Sequence, residues 1–171
     1  MSWLTERQRD GGIDEVRVPG RDGSLWLCGK HKIGPGVEQV VGRVGADLVV
    51  CLTEEHELAD RYPDYVAWLQ RDSRARWFPI SDLHVPPIAP FAQLVRDIDA
   101  KLMSGCQVIV HCAAGIGRAG TTACAVLIAA GCDVEEALDR VATARLGAGP
   151  QTYRQADFLE EFASLIAGAG E

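Results

Sequence analysis

The sequence has no apolar run long enough to cross a membrane. Its longest stretch without a charged residue or a histidine, residues 119–132, contains fourteen residues, whereas a spanning helix needs roughly 18 or more. The first twelve residues, MSWLTERQRDGG, also lack the apolar segment of a secretory signal. We therefore expect a cytoplasmic protein without a membrane partner.

Positive charge is scarce as well. Seventeen Lys and Arg residues stand against 24 Asp and Glu residues, so the formal net charge is -7. Nucleic-acid-binding domains normally carry a basic surface, and so does a domain that docks on anionic lipid. The charge balance argues against both kinds of partner, so any phosphate group that the protein binds must be held by a local site.

The cysteines lack the spacing of a metal site. Six of them occur, at positions 28, 51, 106, 112, 124 and 132, and no pair has the two-residue gap of zinc ribbons or thioredoxin-like sites. We expect no structural metal. In a cytoplasmic protein most of these residues should be free thiols that are buried as small apolar side chains.

Length and composition favour one globular domain. The 171 residues are 47% hydrophobic and 24% charged, which suits a chain with a sizeable core. No internal repeat or long linker divides them. We predict a single domain over residues 1–171, with an N-terminal arm at residues 1–22 and a frayed tail at residues 168–171.

Strand and helix patterns alternate along the chain. Short β-branched or aromatic runs between turn-forming residues predict five strands, at residues 15–18, 24–28, 47–52, 74–80 and 107–112. Apolar residues at helical spacing predict helices, at residues 36–44, 54–70 with a break at Pro63, 90–104, 117–130, 134–145 and 151–167. This order predicts one α/β domain with a mostly parallel sheet flanked by helices.

The segment QVIVHCAAGIGRAGTTACAVLI, which begins at residue 107, predicts a strand, a glycine-containing loop and a buried helix. Gly115 and Gly117 allow the backbone to approach a ligand, so that successive N–H groups converge on one anion. The start of the helix and the guanidinium of Arg118 add positive charge at the same place. Such surroundings favour a thiolate, which predicts that Cys112 is a nucleophile. The alternative is a tight turn between strand and helix, with Arg118 solvated.

The eight residues HCAAGIGR, at positions 111–118, resemble the signature loop of the cysteine-dependent protein tyrosine phosphatases, which has His-Cys, five residues and Arg. The resemblance covers roughly residues 24–162, and the chain is similar in length to compact dual-specificity phosphatases. It implies a phosphotyrosine protein phosphatase-like fold and catalysis by Cys112 and Arg118 without a metal or other cofactor. It also implies that the phosphate is bound by Arg118 and by the loop residues Ala113, Ala114, Gly115, Ile116 and Gly117.

One position departs from the family pattern. The family usually has Ser or Thr after the arginine, where the hydroxyl helps the thiolate to leave in the second chemical step. Here that residue is Ala119. Thr121 or Thr122 could take over this role.

A second resemblance lies in WFPISDLHVPP, which begins at residue 77. An apolar strand enters a proline-bounded loop with one aspartate about thirty residues before the cysteine, as in the general-acid loop of the family. Because the leaving oxygen of a phosphate ester needs a proton, we expect Asp82 to donate it and later to accept a proton from water. The alternative is that Asp82 is a loop or capping residue and that another group is the acid.

Three further residues are candidates for supporting roles. His111 precedes the nucleophile, and its ring could orient the loop through a hydrogen bond. Gln155, in the segment QTYRQADF, resembles a residue beside the active site of compact family members and could position water, although a glutamine on a helix surface fits equally well. Cys51 ends a predicted strand and could form a disulfide with oxidised Cys112; the alternative is a buried thiol without a redox role.

These residues predict a phosphomonoesterase that works through a phosphocysteine intermediate, as a protein tyrosine or dual-specificity phosphatase. One alternative is a phosphatase of a small phosphate ester such as an inositol phosphate, a phosphoinositide or a sugar phosphate. Another is a phosphate-binding module without turnover. Phosphoinositide-selective relatives tend to carry lysines in the loop, where this chain has Ala113, Ala114 and Ile116, which favours a substrate with one phosphate.

Overall fold

The computed structural model describes residues 5–170 and contains one five-stranded sheet. Its strands are β1 (Ile13–Arg17), β2 (Ser24–Gly29), β3 (Ala46–Cys51), β4 (Ala75–Trp77) and β5 (Gln107–Cys112). They are arranged in the order β1-β2-β5-β3-β4. β1 pairs antiparallel with β2, and the other three pairings are parallel. This confirms the predicted mostly parallel sheet of an α/β domain.

Eight α-helices and one 3-10 turn, Glu55–Glu57, accompany the described strands. The helices are α1 (Glu6–Asp10), α2 (Lys30–Ile33), α3 (Val37–Val44), α4 (Pro63–Arg71), α5 (Ile88–Met103), α6 (Gly117–Ala129), α7 (Val134–Ala144) and α8 (Tyr153–Ala169). Pro63 is the first residue of α4, so the predicted break in residues 54–70 is confirmed; proline suits this position because its missing N–H is not needed there. Between residues 5 and 170, none of the helices combines the length and the apolar character that crossing a membrane requires.

Three boundaries differ from the expectation. Residues 1–22 do not form only an arm, because β1 pairs with β2 from Ile13 to Arg17. The predicted strand 74–80 is regular only over β4, although the N–H groups of Phe78 and Ile80 still donate to the carbonyl oxygens of Cys51 and Leu52, each at 2.9 Å. Helix α8 continues through residues 168 and 169, beyond the predicted end at residue 167, and Glu171 of the predicted frayed tail lies outside the described residues.

The sheet separates two hydrophobic layers. On one side, side chains of α5, α6, α7 and α8 pack together with Val108, Val110 and Cys112. On the other, side chains of α3 and α4 pack with Ile109. Residues Gly117 to Ile128 of α6 are all buried, which confirms the predicted buried helix. Because side chains alternate along a strand, β5 turns Cys112 and His111 to opposite sides of the sheet.

We expect Phe91→Ala to destabilise the fold strongly. The Phe91 ring is 1% exposed, and its centroid lies 5.0 Å from that of Phe158 and 5.7 Å from that of Phe162. Loss of such a buried ring costs about 3–5 kcal/mol of unfolding free energy, because transferred area is lost and a cavity remains. Urea unfolding measures the change. The control on the same helix is Met103→Ala, at an exposed site, where a change within about 0.5 kcal/mol is expected; similar losses in both variants would contradict the assignment of the core.

Candidate active site

The position of β5 in the sheet places Cys112 at the centre of one edge. β5 lies between β2 and β3, and all three strands run parallel. Their carboxyl ends therefore meet at the same edge, which is where α/β sheets bind ligands. Cys112 is the last residue of β5 and is 3% exposed. Five residues later, Gly117 begins α6.

The loop between Cys112 and α6 packs against the end of β2, and glycine is required for this contact. Gly115 has a φ of +74°, in the left-handed region, and a Cβ there would lie 2.5 Å from the carbonyl oxygen of Cys28. A larger residue would be strained and would push the loop away from β2. Next to this contact, the backbone N–H of Lys30 donates to the carbonyl oxygen of Ala113 at 2.9 Å.

Arg118 lies in the first turn of α6 and is 2% exposed. Its Nη1 and Nη2 donate to the two carboxylate oxygens of Glu57 at 2.8 and 2.7 Å, and Nη1 also donates to the carbonyl oxygen of Ile80 at 2.7 Å. Burial alone would raise the pKa of Glu57, but the hydrogen bonds from Arg118 outweigh it and hold this pKa below its ordinary value. No sequence motif indicates Glu57, which lies in a short 3-10 turn.

The third nitrogen of this guanidinium has no partner. Nε of Arg118 is buried and forms no hydrogen bond with any residue in the described part of the chain. A buried donor without an acceptor is costly. Burial disfavours the charge of Arg118, yet its pKa is raised, because hydrogen bonds with Glu57 and the nearby charges of Cys112, Glu57 and Asp82 outweigh this effect. A phosphate oxygen beside Cys112 would satisfy the free Nε.

Asp82 lies close to Arg118, at the same edge of the sheet as Cys112. Its side chain is 62% exposed, and its Oδ1 lies 3.5 Å from Nη2 of Arg118. The same oxygen accepts a hydrogen bond from the backbone N–H of Leu83 at 3.0 Å. Leu83 has a φ of +64°, a strained value for a residue with a side chain. The structure thus brings Cys112, Arg118 and Asp82 together, with Asp82 on the solvent side.

The Asp82 loop, residues 78–87 between β4 and α5, forms hydrogen bonds with the neighbouring segments on both sides. Ser81 Oγ donates to Glu54 Oε1 at 2.9 Å. On the other side, Nε2 of Gln155 contacts the carbonyl oxygen of His84 at 3.5 Å. Gln155 is 1% exposed, and its Oε1 accepts from the backbone N–H of Gln151 at 2.7 Å. These contacts attach Gln155 to the loop that carries Asp82; a role in positioning water stays a prediction, since an amide oxygen that accepts one hydrogen bond can accept a second.

His111 contacts the backbone of the cysteine, on the opposite side of the sheet from the thiol. Its Nδ1 lies 3.2 Å from the carbonyl oxygen of Cys112 and its Nε2 lies 2.5 Å from the hydroxyl of Tyr65. A carbonyl oxygen only accepts, so Nδ1 carries the proton and Tyr65 donates to Nε2. Burial lowers the pKa of His111 to about 4, which keeps the ring neutral. Tyr65 comes from α4, and the sequence did not indicate it.

The position of Cys51 favours the alternative of a buried thiol without a redox role over a disulfide with Cys112. Cys51 lies opposite His111 in the β3–β5 register, so its side chain shares the face of His111 and points away from Cys112. Its Sγ lies 3.1 Å from Oγ1 of Thr53, and burial raises the pKa of Cys51 to about 11. The two cysteines lie at the same sheet edge, as expected, but on opposite faces of the sheet.

The hydroxyl groups of Thr121 and Thr122, close to Ala119 in α6, differ in their hydrogen bonds. Ala119 itself is fully buried. Thr122 Oγ1 donates to the carbonyl oxygen of Arg118 at 2.8 Å and is therefore occupied. Thr121 Oγ1 is buried and has no hydrogen-bond partner among residues 5–170. Of the two threonines, Thr121 is the one with a free hydroxyl.

Comparison with known proteins identifies the family. Residues 35–156 match the family model described as "PTP-SAK: Swiss Army Knife protein, DSP-PTPase phosphatase domain". The chain belongs to this DSP-PTPase family. Cys112, Arg118, Asp82 and Gln155 lie inside the matched residues, whereas β1 and β2 precede them.

Curated relatives match over shorter stretches. The chain is 37% identical over 67 residues to dual specificity protein phosphatase 8 of Mus musculus, which covers 39% of this chain and 10% of the relative. It is 28% identical over 91 residues to cyclin-dependent kinase inhibitor 3 of Homo sapiens, covering 52% of this chain and 43% of the relative. The chain thus matches less than half the length of either relative.

Solved structures match almost end to end. The active form of Tk-PTP is 27% identical, with a TM-score of 0.68 over 88% of this chain and 97% of that one. Kinase associated phosphatase with its catalytic cysteine replaced by serine is 22% identical, with a TM-score of 0.79 over 91% and 96% of the two chains. The second likeness concerns the fold alone, and it confirms the predicted phosphatase-like architecture of this DSP-PTPase family member.

The neutral, buried His111 predicts a pH dependence of stability. Its pKa is about 4 in the folded protein, below its ordinary value of 6.5, so the unfolded chain takes up a proton first as the pH falls. Stability is therefore fully present above pH 6.5 and declines towards pH 4, by about 3 kcal/mol at about 1.4 kcal/mol per pKa unit. Urea unfolding of wild type and His111→Gln between pH 7.5 and 4 measures this. The wild type should lose that much more than the variant, and parallel curves would contradict a neutral His111.

Proposed function

We propose that this DSP-PTPase family member is a metal-independent phosphomonoesterase that forms a phosphocysteine intermediate on Cys112. The observation that carries the proposal is the free, buried Nε of Arg118 in the turn that follows Cys112. It offers a charged donor to a phosphate oxygen while both Nη atoms are held by Glu57. The guanidinium is thus already oriented before a ligand arrives, which lowers the entropy cost of binding.

In the first step, the sulfur of Cys112 attacks phosphorus and the bond from phosphorus to the leaving oxygen breaks. Asp82 donates its proton to that oxygen, so the product leaves as an alcohol or phenol rather than as an anion. Nε of Arg118 and the loop N–H groups stabilise the charge on the other phosphate oxygens. Asp82 suits this role because its carboxyl lies on the solvent side of Arg118, where a leaving group would be.

In the second step, Asp82 takes a proton from water, and the water oxygen attacks the phosphorus of the phosphocysteine. The sulfur–phosphorus bond breaks, inorganic phosphate is released, and Cys112 returns to the thiolate. With Ala119 after the arginine, the free hydroxyl of Thr121 is the remaining candidate donor to the departing sulfur.

The surface around the candidate active site favours a phosphorylated protein as substrate. The loop side chains before Arg118 carry no charge that would bind a second phosphate. Two large apolar side chains stand in solvent beside the Asp82 loop: Leu83 is 49% exposed and Tyr153, in the first turn of α8, is 91% exposed. The segments that carry them touch, because Thr152 Oγ1 contacts the Leu83 carbonyl oxygen at 3.5 Å. Such a surface suits contact with a peptide. The proposed activity is therefore hydrolysis of phosphotyrosine in proteins, with dual specificity that includes phosphoserine and phosphothreonine.

A small phosphate ester is the second candidate. The structure of PTPMT1 in complex with PI(5)P has a TM-score of 0.70 and 21% identity to this chain, so the fold is compatible with such a ligand. Hydrolysis of an aryl phosphate in the presence of EDTA tests the chemistry. A panel of phosphotyrosine, phosphoserine and phosphothreonine peptides with inositol phosphates then separates the two substrate classes. Binding without hydrolysis would leave a phosphate-binding module.

We expect Cys112→Ser to abolish turnover and to retain phosphate binding. A serine hydroxyl stays protonated at neutral pH and is a poor nucleophile, whereas Arg118 and the loop N–H groups are unchanged. Aryl phosphate hydrolysis and calorimetric titration with a phosphopeptide measure the two properties. Cys106→Ser, at a partly buried cysteine outside the site, is the matched control. Residual activity of the Cys112 variant near the wild-type rate would refute the nucleophile assignment.

We expect Asp82→Asn to lower kcat by about 10²–10⁴ for substrates whose leaving oxygen needs a proton. Leaving groups that depart as stable anions should lose less, because they need no acid. A series of aryl phosphates with leaving groups of different acidity measures this dependence. Asp97→Asn, on the exposed face of α5, is the control. A uniform loss across the series would assign the acid to another residue.

A further inference from the structure

Arg145 lies directly behind the phosphate loop. It follows α7 and is 5% exposed. Its Nε donates to the carbonyl oxygen of Gly115 at 3.0 Å, and its Nη2 donates to that of Ala114 at 2.8 Å. One buried guanidinium therefore binds two successive carbonyl groups of the loop that follows Cys112.

These contacts determine where the loop N–H groups point. In a trans peptide the C=O and the following N–H point in opposite directions. When Arg145 binds the carbonyls of Ala114 and Gly115, the N–H groups of Gly115 and Ile116 face the other side. The backbone N–H of Lys30 binds the carbonyl oxygen of Ala113 in the same way, so the N–H of Ala114 points away from Lys30. Within residues 5–170 no acceptor is bonded to these three N–H groups, so they are free for one anion.

The other side of Arg145 is held by the N-terminal segment. Its Nη1 donates to Asp14 Oδ2 at 2.8 Å and contacts the carbonyl oxygens of Gly11 and Gly12 at 3.2 and 3.3 Å. Gly11 and Gly12 have φ values of +81° and +69°, a backbone turn that residues with side chains rarely adopt. Asp14 supplies the negative charge that a buried guanidinium needs. Residues 11–14 thus complete the set of acceptors around Arg145.

We propose that Arg145 is a positioning residue for phosphate binding, and that residues 11–14 hold it in place. Arg145 orients the loop carbonyls so that the N–H groups opposite them converge on the phosphate. This inference rests on the proposed function, because it assumes that the loop binds a phosphate. It adds a part of the chain that precedes the family match at residues 35–156. The N-terminal segment then contributes to the site through Arg145, without touching the substrate.

Lysine cannot replace Arg145 in this role. The guanidinium spreads five N–H donors over a rigid plane, which allows it to bind the loop on one side and Asp14 on the other. A lysine ammonium is a single point with three donors, so Arg145→Lys keeps the charge but cannot hold both sides. The matched control is Arg140→Lys in α7, the helix that Arg145 follows, where Arg140 forms an exposed ion pair with Glu136. Asp14→Asn tests the N-terminal side separately.

The experiment compares alkylation of Cys112 by iodoacetate, an anion, and by neutral iodoacetamide, with both rates read from the Cys112 peptide by mass spectrometry. The ratio of the two rates reports anion binding at the loop. Cys124 is fully buried in α6, so its alkylation reports unfolding. We expect wild type and Arg140→Lys to favour iodoacetate equally. Arg145→Lys should lower the ratio about tenfold, as for a lost hydrogen bond to a charged group, and Asp14→Asn should lower it by a smaller factor, while Cys124 stays protected in both.

The outcomes separate the two proposals. Wild type without a preference for iodoacetate would contradict the proposed phosphate site itself. A wild-type preference that survives in Arg145→Lys, with Cys124 protected, would overturn the role of Arg145 and leave the phosphatase proposal intact. If Arg145→Lys exposes Cys124, Asp14→Asn alone decides, and an unchanged ratio in that variant overturns the inference.

Discussion

The buried ion pair between Arg118 and Glu57 is the interaction on which the candidate site depends. It joins α6, which carries Arg118, to the 3-10 turn that carries Glu57. The same guanidinium binds the carbonyl oxygen of Ile80, at the start of the Asp82 loop. Three segments far apart in sequence therefore meet at one positive charge. Because the pair is bidentate and largely hidden from water, its geometry is well defined, and it leaves Nε of Arg118 without a hydrogen bond to any of residues 5–170.

Because side chains alternate along β5, Cys112 and His111 lie on opposite faces of the sheet. Cys112 turns towards the layer of α5, α6 and α8, where the loop and Arg118 lie. His111 turns towards α4, where Tyr65 donates to its Nε2 and burial keeps the ring neutral. The histidine therefore acts on the cysteine through the backbone carbonyl. The same alternation places the side chain of Cys51 on the opposite face from the Cys112 thiol, although the two cysteines end neighbouring parallel strands.

Much of the fold could be predicted because the sheet and its helices follow local patterns. The five strands, the break at Pro63 and the buried α6 all have a signal within a few residues. The motif HCAAGIGR likewise indicated Cys112 and Arg118, and the proline-bounded loop indicated Asp82. Glu57, Tyr65 and Arg145 could not be found in this way, because each depends on a partner that folding brings close: Glu57 and Tyr65 lie 61 and 46 residues from theirs. A strand at residues 15–18 was predicted, but its antiparallel pairing with β2 was not, because that pairing is made only in the folded sheet.

The central claim is that phosphate is transferred to the sulfur of Cys112 before water attacks. A rapid-quench experiment with an aryl phosphate, followed by mass spectrometry of the denatured protein, tests it most directly. We expect one phosphate per chain within the first turnover, located on the peptide that contains Cys112, and the same result in the presence of EDTA. Product formation without any phosphorylated Cys112, or a phosphate located on another residue, would contradict it.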